Sequence, residues 1–383
     1  MTAQIALLTP SCAILAADSA VTIVGGSESR VYTGAEKITP LSNKAPVAAL
    51  VYGSASVCGV PWNTLLHACC AECDLSTMSI PEATGRLIDF VRDRIAQHLA
   101  ERGDALREER LQGIMSALVA EVSEQAPTNE INAVTTLATE RFAYERDQWA
   151  AQERIDGVDE EHELNLHEEH REWALANAQS VYEDAPGDLA AHEALADLIL
   201  LMFTRRLPPS ATTRWAGGVA VLGFGSGELW PSFSIVEFDG VGLDGVRLWP
   251  GDDGRSPGPG GAFVRAFAQD AGVKTIMNGL HPDMVSRLGT AMVDNGMADD
   301  DVDTLLNDVV NRWHEERTTG ILRTLEMMPQ PALCEIAESL VAITALEHRL
   351  TGSLETVGGT ISVAVLAPGE PLRWAKRPSL MTS

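Results

Sequence analysis

The chain has 383 residues and a net charge of −26, and apolar residue types make up 45% of it. This apolar content is ample for a large core in one large or two ordinary domains, whereas the charge argues against nucleic acid and anionic membranes as partners. No apolar run reaches the roughly 18 residues of a membrane helix, and no basic segment precedes an apolar one at the start, so we expect a soluble, cytoplasmic protein.

The beginning of the chain alternates short apolar runs with turn residues. One run covers residues 3–8 and is apolar apart from Gln4, a Thr-Pro-Ser turn follows, and a second run covers residues 12–17. This pattern predicts a strand pair that begins at residue 3 and leaves Thr2 at its tip. A further apolar run, Val47–Tyr52, ends at Gly53.

Thr2 is the first candidate catalytic residue. Methionine aminopeptidase normally removes a methionine that precedes a residue this small, which would leave Thr2 with a hydroxyl and a free α-amine. An α-amine has a pKa of about 7.7–8.0, so it can act as a base toward a neighbouring hydroxyl near neutral pH.

Three further residues have types that suit such a nucleophile: Asp18, Lys37 and Gly53. A lysine lowers the pKa of neighbouring basic groups by like-charge repulsion, and an aspartate holds the lysine in place. A glycine lets backbone N–H groups approach an oxyanion closely. We therefore expect Lys37→Ala to impair activity severely and Asp18→Asn to do less.

The segment after Gly53 predicts a helix that begins near Trp62 and runs to about Cys73. Cys70 and Cys73 form a CxxC pair near His67, but a zinc site needs a second ligand pair at a defined spacing, and none follows. We interpret these cysteines as buried thiols and predict no metal.

From residue 80 onward the pattern is helical. Residues 80–99 and 101–122 are amphipathic, and residues 140–182 are dense in charge, which predicts a long solvent-facing helix or a helical hairpin. His162, His167 and His170 do not share one helix face, so a solvated acidic surface is a better interpretation than a metal site. We expect this region to contact a partner subunit or to shape substrate access, and a short linker to replace residues 100–205 without loss of the core.

Strands return near Trp215, and helices follow them. The predicted elements are strands at 215–224, 231–238 and 246–249, a loop at 251–261, a helix pair that begins at 262–271, helices at 299–325 and 331–350, a strand at 360–366 and an edge strand at 372–374.

The order of these motifs resembles that of the proteasome β-subunit and its bacterial proteasome-like relatives, which are N-terminal-nucleophile hydrolases. The resemblance rests on an N-terminal Thr, the sequence LAAD ending at Asp18, Lys37 just before an Ile, a strand that ends in Gly, and ETVGGTISVAVLAPGEPLRW near the end. Asp18 falls at the spacing of that family, and Lys37 falls a few residues late. The resemblance covers residues 2–75 and 212–377.

This resemblance implies an α+β fold, a four-layer αββα sandwich, in a single domain with an inserted helical region at about 80–210. It implies that Thr2 is the nucleophile and that its own α-amine is the base. Lys37 would lower the pKa of that amine, Asp18 would hold Lys37 in place, and the Gly53 N–H would help to bind the oxyanion. Ser19 and Glu355 are candidate supporting residues. No metal or organic cofactor is implied.

Two departures from that family concern the groups that support its nucleophile. Val357 stands where the family has a Ser before Gly-Gly, and Ser256 only lies near the position of another Ser. Three functions therefore stay open: a threonine peptidase, an amidohydrolase of small molecules, and an inactive scaffold or binding subunit that acts through its helical region. We also expect the protein to self-associate as a homo-oligomer, because the relatives that it resembles work in rings or stacks.

Overall fold

The computed structural model describes residues 3–25, 28–125, 131–181, 189–208, 216–256, 261–350 and 357–377. In chain order, its strands are β1 (Ala3–Thr9), β2 (Cys12–Ala17), β3 (Ala20–Gly25), β4 (Glu28–Thr33), β5 (Ile38–Pro40), β6 (Val47–Gly53), β7 (Ser56–Val57), β8 (Val60–Pro61), β9 (Gly217–Gly223), β10 (Ser232–Val241), β11 (Val246–Arg255), β12 (Phe263–Ala268), β13 (Ser362–Leu366) and β14 (Arg373–Lys376).

The helices lie in two groups along the chain, on either side of strands β9 to β12. They are α1 (Trp62–Glu72), α2 (Ile80–Gln125), α3 (Ile131–Ala150), α4 (Glu160–Glu169), α5 (Arg171–Val181), α6 (Leu189–Thr204), α7 (Ala271–Asn278), α8 (Pro282–Asp294), α9 (Asp299–Leu306), α10 (Arg312–Glu326) and α11 (Gln330–Leu350). Among the described residues, no helix is both long and apolar enough to cross a membrane.

Two five-stranded antiparallel sheets form the centre of the structure. Sheet 1 has the strand order β12-β1-β2-β13-β14, and sheet 2 has the order β11-β10-β9-β6-β5. In sheet 1, β1 and β2 form a hairpin that closes at the pair Thr9 and Cys12, and strands from the second half of the chain flank it on both sides. The N-terminal hairpin is therefore central in its sheet.

The two sheets share an apolar cluster, because alternate residues of a strand point to opposite faces. In β1, Ala6 and Leu8 belong to the cluster between the sheets, whereas Ile5 and Leu7 belong to a second cluster with α7 and α11. A third cluster joins sheet 2 to α1, α2 and α6. Both faces of β1 are thus buried, which explains its nearly continuous apolar sequence. The mixture of helices and antiparallel sheets is compatible with the predicted α+β class.

The C-terminal half departs from the predicted elements between residues 251 and 271. Residues 251–255 of the predicted loop are the end of β11, and residues 257–260 lie outside the described residues. The predicted start of a helix is β12, which pairs with β1. Phe263 of β12 stacks on Phe233 of β10 with ring centroids 5.5 Å apart. An apolar run of this length fits either a strand or a helix. Here it forms a strand because it pairs with the edge of β1 that β2 leaves open.

The region at 140–182, predicted as a long solvent-facing helix or a helical hairpin, is helical, but part of it is buried. The chain forms α3, α4 and α5 there, and Trp149, Ala174 and Ala178 are buried. The reason is α6, which is apolar on every side from Leu198 to Phe203 and needs neighbours to cover it. Helices α3 and α5 supply that cover.

Candidate functional site

Asp18 lies directly after β2 and is almost completely buried. Its Oδ1 accepts hydrogen bonds from Lys37 Nζ at 2.6 Å and from the backbone N–H of Ala3 at 3.0 Å. Its Oδ2 accepts from the backbone N–H groups of Gly358 at 3.0 Å and Ala20 at 3.2 Å. One carboxylate thus joins the start of β1, the lysine and the segment that leads to β13.

Lys37 lies directly before β5, and only 8% of its side chain is exposed. Burial lowers the pKa of its ammonium group from the usual 10.5, although the neighbouring Asp18 carboxylate raises it in part. Its backbone oxygen accepts a hydrogen bond from Val51 N–H of β6 at 3.1 Å. A buried cation held in this way lowers the pKa of any basic group beside it and stabilises an anion.

Gly53 ends β6, two residues after the backbone partner of Lys37, and it is exposed. It has a φ of +74°, and a Cβ there would lie 2.4 Å from the carbonyl oxygen of Ala216. A residue other than glycine would therefore be strained and would collide with the neighbouring backbone. The backbone conformation at Gly53 therefore requires glycine, two residues along β6 from the Val51 N–H that bonds to Lys37.

The Gly358-Gly359 pair does more than lead into a strand. The backbone N–H of Gly358 donates to Asp18 Oδ2. Gly359 has a φ of +78°, and a Cβ there would lie only 2.5 Å from Ser19 Oγ. The hydroxyls of Ser19 and Thr360 lie 3.2 Å apart. Ser19 is therefore next to Asp18 in the chain and packed against the Gly-Gly turn.

Of the remaining candidates, Thr2 and Glu355 lie outside the described residues. Val357 is buried in the cluster of sheet 1 with its helices, so it contributes packing where the resembling family has a hydroxyl. Ser256 is buried, and its Oγ donates to the Gly261 carbonyl at 3.3 Å. The structure thus brings Asp18 and Lys37 together at Ala3 and places Gly53 on the adjoining strand.

Sequence reasoning missed two contributors to this region. One is the Gly358 N–H, whose role depends on the backbone rather than on a side chain. The other is Gln4, whose Nε2 donates to the Val51 carbonyl at 2.6 Å. A single polar residue in an otherwise apolar strand was the signal that could have identified Gln4.

The cysteines of the CxxC segment lie at the C-terminal end of α1 and pack in the apolar cluster that joins sheet 2 to its helices. Cys69 and Cys73 are buried, Cys70 is half-buried, and burial raises the pKa of the Cys69 thiol to about 12. A cavity of about 570 Å³ lies between residues 40–44 and 70–75. Within the described ranges, no group of three or more His, Cys, Asp or Glu residues is arranged to hold a metal ion.

Comparison of the sequence with protein-family models and with curated proteins finds no match. The function has therefore to be inferred from the geometry around Asp18 and Lys37.

Proposed function

We propose that the protein is an N-terminal threonine hydrolase of the proteasome-like class, which cleaves a peptide or another amide bond with Thr2 after Met1 has been removed. The observation that carries the proposal is the Asp18 Oδ1 atom, which accepts hydrogen bonds from both Lys37 Nζ and Ala3 N. Ala3 is bonded directly to Thr2. A buried ammonium group and the backbone N–H of Ala3, the residue that follows Thr2, therefore share one carboxylate.

The proposed reaction has two halves. The Thr2 hydroxyl attacks the substrate carbonyl while the Thr2 α-amine takes its proton, and the same amine returns that proton to the leaving nitrogen. Water then hydrolyses the ester that joins the acyl group to Thr2. Lys37 lowers the pKa of the α-amine, which keeps the amine unprotonated near neutral pH, and the Gly53 N–H stabilises the tetrahedral oxyanion.

The fold supports this proposal at a coarser level. We infer that the three apolar clusters belong to a four-layer αββα sandwich, with sheet 2 covered by α1, α2 and α6 and sheet 1 covered by α7 and α11. In such a sandwich, β1 is a strand of sheet 1 with one face toward sheet 2 and the other toward α7 and α11. The inserted helical region at about 80–210 then adds to the layer that covers sheet 2.

The test uses three forms of the protein and a covalent electrophile that reacts with N-terminal threonine. Intact-mass measurement establishes whether Met1 has been removed. We expect the electrophile to add to Thr2 of the wild type and to Thr2→Ser, which keeps the hydroxyl and the amine. Thr2→Ala should fold normally, should not be labelled, and should lose amide hydrolysis.

The competing function is a scaffold or binding subunit without catalysis, and the buried, apolar Val357 favours it. Hydrolysis by Thr2→Ala at the wild-type rate, or labelling at another residue, would give it first place. Retention of Met1 in the purified protein would have the same consequence, because no α-amine would then be available at Thr2.

A further inference from the structure

Gln4 is a polar residue in the apolar layer between the two sheets. It lies on the same face of β1 as Ala6 and Leu8, which belong to the cluster between the sheets, and its exposed fraction is 0%. A buried polar group without a hydrogen-bond partner destabilises the folded state. Yet the Oε1 atom of Gln4 is buried without a hydrogen-bond partner among the described residues. An apolar residue would fill this position at lower cost, so the amide calls for an explanation other than packing.

The other end of the amide makes a bond that crosses from one sheet to the other. Gln4 Nε2 donates to the carbonyl oxygen of Val51 at 2.6 Å. The amide has to have this orientation, because its oxygen would repel the carbonyl. The N–H of Val51 donates in turn to the backbone oxygen of Lys37 at 3.1 Å. A single residue of β6 is thus bonded to both β1 and Lys37.

We propose that Gln4 is a positioning residue, whose hydrogen bond to Val51 fixes the start of β1 relative to Lys37. The distance between Thr2, two residues before Gln4, and the ammonium group of Lys37 then depends on this bond. The inference rests on the proposed function, because it concerns the geometry of the same site. Gln4 acts through Val51 and takes no part in bond making.

The first variant is Gln4→Met, which keeps the length of the side chain and removes both hydrogen-bonding groups. The measurement is the rate at which the electrophile labels Thr2, over a range of electrophile concentrations. A displacement of about 1 Å can lower a rate by about 10²-fold, so we expect a maximal rate that is about 10–100-fold lower. The half-saturating concentration should stay unchanged, because Gln4 does not contact the electrophile.

The second variant, Gln4→Glu, tests the hydrogen bond itself. A protonated carboxyl can donate to the Val51 carbonyl as the amide does, whereas a carboxylate cannot. Burial raises the pKa of such a carboxyl. Relative to the wild type at the same pH, labelling of Gln4→Glu should therefore recover as the pH falls, and labelling of Gln4→Met should stay low at every pH. Absence of this recovery would contradict the role of the bond.

Leu8→Val is the matched control for loss of stability. Leu8 lies on the same face of the same strand, and its truncation removes packing between the sheets without touching the bond from Gln4 to Val51. We expect Leu8→Val to unfold at lower denaturant concentration and to label at the wild-type rate. If Gln4→Met also labels at the wild-type rate while Thr2→Ala does not label, the inference is wrong and the proposed function stands.

A second measurement separates the inference from the proposed function. The pH dependence of acylation of the α-amine, followed by mass spectrometry on protein that begins at Thr2, gives the pKa of that amine without any catalysis. In Gln4→Met this pKa should rise toward its reference value of about 7.7–8.0, because the amine moves away from Lys37. If the wild type is not labelled at Thr2 but this shift occurs, the function fails and the positioning role survives; an unchanged pKa overturns the positioning role.

Discussion

At the scale of single residues, Asp18 has a larger role than its type and position predict. The sequence predicts that it merely orients Lys37, so that Asp18→Asn does less harm to activity than Lys37→Ala. In the structure its carboxylate also accepts three backbone N–H groups from separate parts of the chain. Its loss would therefore disturb the fold as well as the lysine.

The free energies of unfolding of two variants test this role. Asp18→Asn leaves a buried lysine without the carboxylate it contacts, which costs about 3–5 kcal/mol in comparable sites. Lys37→Met should cost less, because the backbone N–H groups still satisfy Asp18. Chemical denaturation at pH 7 measures both. An Asp18→Asn variant as stable as Lys37→Met would show that the backbone bonds hold the site without the charge.

The lowered pKa of Lys37 predicts that the free energy of unfolding depends on pH, and the same two variants test this. Because burial lowers the pKa of Lys37 below 10.5, the folded state binds fewer protons than the unfolded state between the lowered value and 10.5. The free energy of unfolding should therefore gain a contribution as the pH rises through that interval and lose it as the pH falls. Lys37→Met should lack this contribution. In Asp18→Asn this contribution should begin at a lower pH, since the Asp18 carboxylate no longer raises the pKa of Lys37.

At the scale of elements, a buried ion pair network ties the helical region to sheet 2. Asp239 of β10 is completely buried and contacts the guanidinium groups of Arg110 of α2 and Arg247 of β11. Burial alone would raise the pKa of Asp239, but the two arginines hold it below its usual range. Arg110 also donates to the carbonyl of Met202 in α6. Helix α2 is thus bonded to the sheet as well as packed on it, and Arg110 also bonds α2 to α6.

This network predicts that the helices cannot be removed as a surface insertion. Replacing residues 100–205 with a linker would remove Arg110 and uncover the apolar face of sheet 2, so we expect loss of cooperative unfolding, contrary to the expectation from sequence. Asp239→Asn alone should cost about 3–5 kcal/mol. Asp156→Asn, which breaks a partly exposed pair with Arg92, is the control and should cost no more than about 1 kcal/mol.

The sequence predicts the elements whose apolar runs are bounded by turn residues, such as β1, β2 and β6, and the long amphipathic α11. It does not predict β12, because Phe263–Ala268 has no periodicity that excludes a helix and its pairing with β1 depends on a distant strand. For the candidate site, residue types and order identify Asp18 and Lys37. The role of Gly358 depends on a backbone N–H, which leaves no mark on residue type. Gln4 stands out as a polar residue in an apolar strand, but its partner Val51 lies in the other sheet and could not be predicted from that signal.

At the scale of the whole molecule, the net charge of −26 opposes close contact between copies of the chain. The resemblance to subunits of assembled rings nevertheless leads us to propose that the protein self-associates. Salt screens repulsion between exposed charges, so the sedimentation coefficient at micromolar concentration should increase as salt is added. A monomer at every salt concentration would contradict this proposal.

The bond between Asp18 and Gly358 joins residues 340 positions apart, and this separation orders events during synthesis. A nascent chain can form the β1–β2 hairpin early, but β12 and β13 must emerge from the ribosome before that hairpin has its neighbours. Contacts between such distant residues form late and slowly. The bonds around Asp18 are therefore complete only after Gly358 has left the ribosome and β13 has docked beside β2.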